Sequence, residues 1–165
     1  MAYTDIEFYK TKYYGDTVPD ESLERYLEKA SDRIDMITFD RLVDGLPDDE
    51  RAQTKVKKAV CAVADCLYQI DEVKKASMAT VGTIARADGT MTGKMVSSVS
   101  SGAESISYVT GTAGGSSDIY SQAAMDKKVE NVLLRQVATE YLAGVVDNKG
   151  VCLLYAGLQS KYFRN

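Results

Sequence analysis

Between Asp48 and Ile70 the chain carries apolar residues on two sides of one helix, and this pattern restricts the possible folds more than any other. Val56, Val60, Val63, Leu67 and Ile70 recur at helical spacing on one side, while Ala59, Ala62 and Cys66 occupy a second. Small residues on the second side let a neighbouring helix come close. The helix is therefore expected to run through the centre of the fold, with partners on two faces, and to be the most buried element. Asp48, Asp49 and Glu50 mark its N-terminus, where the dipole favours negative charge. Lys55, Lys57 and Lys58 read as its solvated side, with contact to phosphate as the alternative.

Two shorter amphipathic stretches precede it. Thr4 with Glu7 has the form of a capping box, and Ile6, Tyr9 and Tyr13 then share one face of a short helix that stops at Gly15. Pro19 pre-sets the opening dihedral of the next helix, Asp20 and Glu21 suit its positive end, and Leu23, Leu27, Ala30, Ile34 and Ile37 form one apolar face. A loop around Gly45-Leu46-Pro47 leads into the long helix. From Ala76 to Asp118 Gly, Ser and Thr dominate and helical periodicity disappears. Within that region Met95–Ser100 and Glu104–Val109 flank Ser101-Gly102-Ala103, which predicts a β-hairpin. An isolated hairpin is marginal in water, so it must pack on the helices or find a partner strand. Gly111 to Ser117 reads as a flexible tether.

One further helix is expected from Ser117 through Ala143, with Ile119, Val129, Val132, Leu133, Val137 and Tyr141 as its apolar set and Gly144 as its stop. The apolar segment Val151 to Leu158 follows the turn signal Asp147-Asn148-Lys149-Gly150. The expected fold is mainly α: a small helical bundle with a long central helix, a β-hairpin and an extended C-terminal segment, in one domain over 1–165.

Composition narrows the function. The longest apolar run, Val151–Ala156, falls far short of the ~20 residues that span a bilayer, so no membrane span is expected. Met1 to Glu7 carries acid where a secretory signal carries base, which predicts a protein that stays in the cytoplasm where it is made. A net charge of −4 supplies no global attraction to nucleic acid or anionic lipid. Three cysteines, an odd number, are poor material for a disulfide framework and are expected as small buried apolar groups. The sequence holds no histidine, which excludes Ser-His and Cys-His nucleophilic pairs and the commonest metal ligand. Cys61 and Cys66 point about 140° apart around a helix axis and cannot clamp one metal ion.

Gly89-Thr90-Met91-Thr92-Gly93-Lys94-Met95 is a residue short of a phosphate-binding loop and lacks the hydroxyl after the lysine, so it reads as a turn. No catalytic, cofactor or metal-binding residue is expected, and no enzyme. Eleven tyrosines, against three Phe and no Trp, suit surfaces that a partner covers yet that stay soluble alone.

The second helix closes on Ala30-Ser31-Asp32-Arg33-Ile34-Asp35-Met36-Ile37-Thr38-Phe39-Asp40-Arg41, and the far end of the chain carries Leu154-Tyr155-Ala156-Gly157-Leu158. In that order the pair resembles the head-tail connector (adaptor) proteins of long-tailed bacteriophages, where Ala-Ser-x-x-Ile-Asp-x-x-Thr-x-x-Arg closes a helix and Leu-Leu-Tyr-Arg-Gly ends the chain. The family's intervening Val-Lys-x-Ala helix and Ser-Val-Ser-Tyr segment correspond to Val56-Lys57-Lys58-Ala59 and Ser105-Ile106-Ser107-Tyr108. Ala156 stands where the family carries Arg, and Ala76 to Gly93 is longer than usual.

The resemblance implies a structural virion protein. Such a subunit forms a homo-oligomeric ring beneath the capsid portal protein, lets DNA through without sequence-specific binding, and receives neck or tail proteins at the head-tail junction. It would be made in the cytoplasm of a bacterial host. A ring repeats one heterologous contact around an axis, and a mobile hairpin or tail that adds to a neighbour supplies such a contact. The candidate interaction residues are therefore Ser105, Ile106, Ser107 and Tyr108, with Leu153, Leu154, Tyr155, Gly157 and Leu158. The C-terminal strip either folds back on its own helices or covers a neighbouring subunit or the portal. The alternative function is a small helical nucleic-acid-binding or regulatory protein with the Lys55, Lys57 and Lys58 face on phosphate.

Overall fold

Three aspartates decide where helices begin, because each places a carboxylate oxygen on an otherwise unpaired backbone N–H. Asp5 accepts from Phe8 N at 2.7 Å, Asp49 from Ala52 N at 2.7 Å and Asp126 from Lys128 N at 2.7 Å. A computed structural model describes residues 2–80, 82–85, 91–100, 105–109 and 119–156, with side chains over 2–77 and 119–156. Its helices are α1 (Ile6–Phe8), which widens into a π-helical turn (Tyr9–Tyr13), then α2 (Asp20–Ile37), α3 (Glu50–Thr80), α4 (Ile119–Met125) and α5 (Lys127–Leu142). The fold is mainly helical. The expected hairpin over 95–109 lies outside the residues described with side chains, and the described core is helical without it. The turn at 101–103 and the tether at 111–117 lie outside the described residues altogether. No helix among the described residues is long and apolar enough to cross a membrane.

α3 runs through the middle, packed by α2 and by the α4–α5 pair. Val56, Val60, Val63, Leu67 and Ile70 are buried, and so are Ala59, Ala62 and Cys66 on the second side. Both expected faces are thus covered. Burial pushes the Cys61 and Cys66 thiols up to about 12, so both behave as small apolar groups. Leu67→Ala should cost ~2 to 3 kcal/mol in a thermal or denaturant melt, the lower part of the range for packed leucines. A loss below about 0.5 kcal/mol, typical of surface positions, would mean that this side of α3 is not packed.

The N-terminal expectation needs correction. Asp5, not Thr4, caps α1, Thr4 is buried, and Ile6 is partly exposed while Tyr9 is buried. Of the expected face only Tyr9 is fully buried, with Tyr13 half-buried beside it in the π turn. Tyr14, rather than Gly15, takes the left-handed stop at φ 59°. Gly15 is required for a different reason: a Cβ there would lie 2.2 Å from Cζ of the Tyr9 ring. Pro19 occupies the cap position rather than the first turn of α2, and the expected face of Leu23, Leu27, Ala30 and Ile34 is buried behind it.

The single helix expected over 117–143 is two, since Asp126 captures the Lys128 N–H and restarts the ladder. The buried line of α5 is Glu130, Leu134, Ala138 and Leu142, with Val129, Leu133, Val137 and Tyr141 half-buried beside it. Val132 and Ile119, both expected inside, are exposed. Gly144 does stop α5, at φ 74°. Beyond it the chain doubles back: Asp147 N donates to Val151 O at 2.8 Å, Leu153 N donates to Val145 O at 2.9 Å, and Val146 bridges Cys152. The Asp147 carboxylate holds the turn by accepting from Lys149 N and Val151 N.

Candidate interaction surface

The spaced residues at the end of α2 each fasten something. Buried Ser31 donates to Leu27 O at 2.8 Å and accepts from Tyr3 N at 3.0 Å. Asp35 accepts from the Tyr3 hydroxyl, and burial raises the Asp35 carboxyl above the ordinary range despite that hydrogen bond. Buried Thr38 donates its hydroxyl to Ile34 O at 2.9 Å. Phe39 and Asp40 then both adopt left-handed backbone, at φ 56° and 58°, which costs of order 1 kcal/mol for each non-glycine residue. That bend turns Arg41 back into the molecule.

The buried Arg41 guanidinium donates to Tyr155 O at 2.9 Å, sits 3.9 Å from the Asp147 carboxylate, and lies 5.9 Å from the Tyr155 ring centre. The two patterns at opposite ends of the chain therefore meet in one device, 114 positions apart.

Beside it, α2 and α5 enclose a groove of about 330 Å³ between Arg33, Met36 and Ile37 on one wall and Val132 and Arg135 on the other. Met36 and Val132 are each 66% exposed. Arg135 reaches over the partly exposed Phe39 ring at 6.0 Å, extending the apolar rim past the end of α2. Glu130 anchors Arg33, one of the groove's wall residues. This carboxylate, 3% exposed, receives Arg33 from α2 at 3.3 Å, Lys74 from α3 at 3.3 Å, and Lys127 one turn before it. Burial pushes its pKa up, but the hydrogen bonds and charges of Lys127 and Lys74 outweigh burial and hold it below the ordinary value. Apolar side chains gathered in one groove, edged by arginine and an aromatic ring, match the centre of a protein interface. Methionine adds a surface that adapts to its partner.

Of the residues expected to carry interactions, Leu153 is fully buried in its own core and Leu154 packs half-buried against it. Tyr155 is exposed, while Gly157 and Leu158 lie outside the described residues. Ser105, Ile106, Ser107 and Tyr108 fall on Ser105–Val109, for which backbone alone is described.

The tyrosines also divide differently from expectation. Tyr9 and Tyr13 both donate to Asp65, and Tyr26 donates to Asp71 at 3.0 Å, so these rings pin elements together inside the subunit. Burial raises the Asp65 carboxyl, and the two phenols are pushed above their usual value. Tyr14 and Tyr155 remain open to a partner. The groove itself escaped the sequence reading because Val132 fits the apolar set of α5 and Met36 falls beside that of α2. The available signal was the one-position offset between the apolar pattern and the Leu134, Ala138, Leu142 line. No protein-family model, no curated protein and no solved structure matches this chain.

Proposed function

We propose that this chain is a structural subunit of a head-tail connector: a homo-oligomeric ring between the capsid portal protein and the tail of a bacteriophage, through which DNA passes. The observation that carries the reading is the Arg41 to Tyr155 hydrogen bond, which brings the two resembling patterns into contact. The α2–α5 groove supports it from the other direction, because a ring subunit needs an exposed apolar surface for a heterologous contact with its neighbour. A hairpin over 95–109 that adds to such a neighbour belongs to the same proposal. Downstream neck or tail proteins dock on the completed ring, and the subunit resides in the virion at the head-tail junction after assembly in the bacterial cytoplasm. No catalytic group takes part.

Native mass measurement of the purified protein, alone and mixed with portal protein, tests this reading together with electron microscopy of the mixture. Rings on portal, and their loss in Met36→Asp or Val132→Asp, are the expected outcome. A protein that stays monomeric at every concentration and never joins portal overturns it.

A further inference from the structure

Among the described residues six lysines sit within 4.0 Å of a carboxylate. Lys10 pairs with Asp20, Lys29 with Asp71, Lys74 with Asp71 and Glu130, Lys75 with Glu72, Lys127 with Glu130 and Lys149 with Asp44. Among the described residues Lys12, Lys55, Lys57, Lys58 and Lys128 have no carboxylate within 4.0 Å. Three of these five gather in one groove. Lys12 from the π turn and Lys57 and Lys58 from α3 line a groove of about 420 Å³, with Thr54 and Gln53 beside them and Glu50 as its one acid. Lys55 stands one turn before Lys58, where like charges repel along a helix. In a chain of net charge −4, a concentration of unpaired cations is a local exception.

We propose that this groove is a phosphate-contact site for a nucleic-acid backbone, read by charge and not by base. The groove holds point charges spread over two elements rather than an arginine fork closing on one phosphate, so it suits phosphates repeated along a polymer. The aromatic ring in it, Phe8, lies 5.4 Å beneath Lys57 and is not free to insert as a membrane anchor, which favours nucleic acid over an anionic lipid surface. The proposal is independent of the connector reading. A protein that never assembles but binds duplex through these lysines keeps it, and a ring that ignores DNA loses it.

The test uses the full chain with short labelled duplex DNA across a salt series, with vesicles of anionic phospholipid and inorganic phosphate as separate probes. Binding is expected at low salt, with a log–log salt slope of about −3, corresponding to three or four neutralised phosphates. K57E/K58E should weaken it at least tenfold, to order of magnitude, and flatten the slope, whereas K75E should leave it unchanged. K12Q, on the other wall, should give a smaller loss, and it decides the matter should the double charge reversal fail to fold by circular dichroism. No binding at low salt, equal loss with K75E, indifference to the groove variants, binding to vesicles but not DNA, or competition by millimolar inorganic phosphate would each overturn the proposal.

Discussion

Ending the chain at Gly150 is expected to unfold or aggregate the protein, or to lower its melting temperature by about 10 °C, instead of releasing a soluble subunit that lacks a docking arm. Leu153 is fully buried, its N–H donates to Val145 O, and the carbonyl two residues later accepts from the buried Arg41 guanidinium. Truncation opens a cavity and removes the hydrogen-bond acceptor at Tyr155 O from a buried charge at once. Leu153→Ala alone should cost ~3 kcal/mol, the ordinary range for a packed leucine. Tyr155→Ala, which removes an exposed ring but leaves the carbonyl, should cost below about 1 kcal/mol and thereby isolates any part the ring plays in assembly. A truncated chain that melts within a degree or two of the full protein would sink this account of the C-terminal segment.

Replacing Glu130 by Ala should cost about 3 kcal/mol, the lower end for breaking a buried ion pair. Three cations converge on it, yet Lys127 is largely exposed and can turn to water, which reduces the penalty. The pH dependence identifies the cause. A carboxylate held below its unfolded value contributes stability that is present above the ordinary 4.5 and is lost as pH falls through the lower folded value. Glu130→Gln should therefore flatten the acid limb of the stability curve. Asp65 has the opposite sign: burial raises its carboxyl, so the stability linked to it is full below the ordinary 3.8 and is lost as pH rises through the higher folded value. Asp65→Asn should remove that loss and make stability between weakly acidic and neutral pH less dependent on pH. Chemical denaturation across pH reads both, and an unchanged acid limb in Glu130→Gln would show that the three cations do not hold that carboxylate ionised.

Much of the helical architecture was legible because helix periodicity is a local property. The two faces of α3, the apolar face of α2 and the stop at Gly144 need only the 3.6-residue repeat and the conformational freedom of glycine. The candidate surface was legible only as fragments. Tyr155 and the spaced residues from Ala30 to Arg41 stood out in the chain, but nothing local announced that Arg41 and Tyr155 touch.

Sequence alone determined the composition limits and the positions where helices can form: no histidine, net acidity, and apolar stripes at fixed spacing. Tertiary structure alone decided which charges go inside. A buried carboxylate is tolerated only where cations arrive from elsewhere, and Glu130 meets Arg33 from 97 positions away and Lys74 from 56. That same convergence turns α5 so that Leu134 faces the core and Val132 faces the groove, an orientation that the apolar pattern of α5 by itself places one position off.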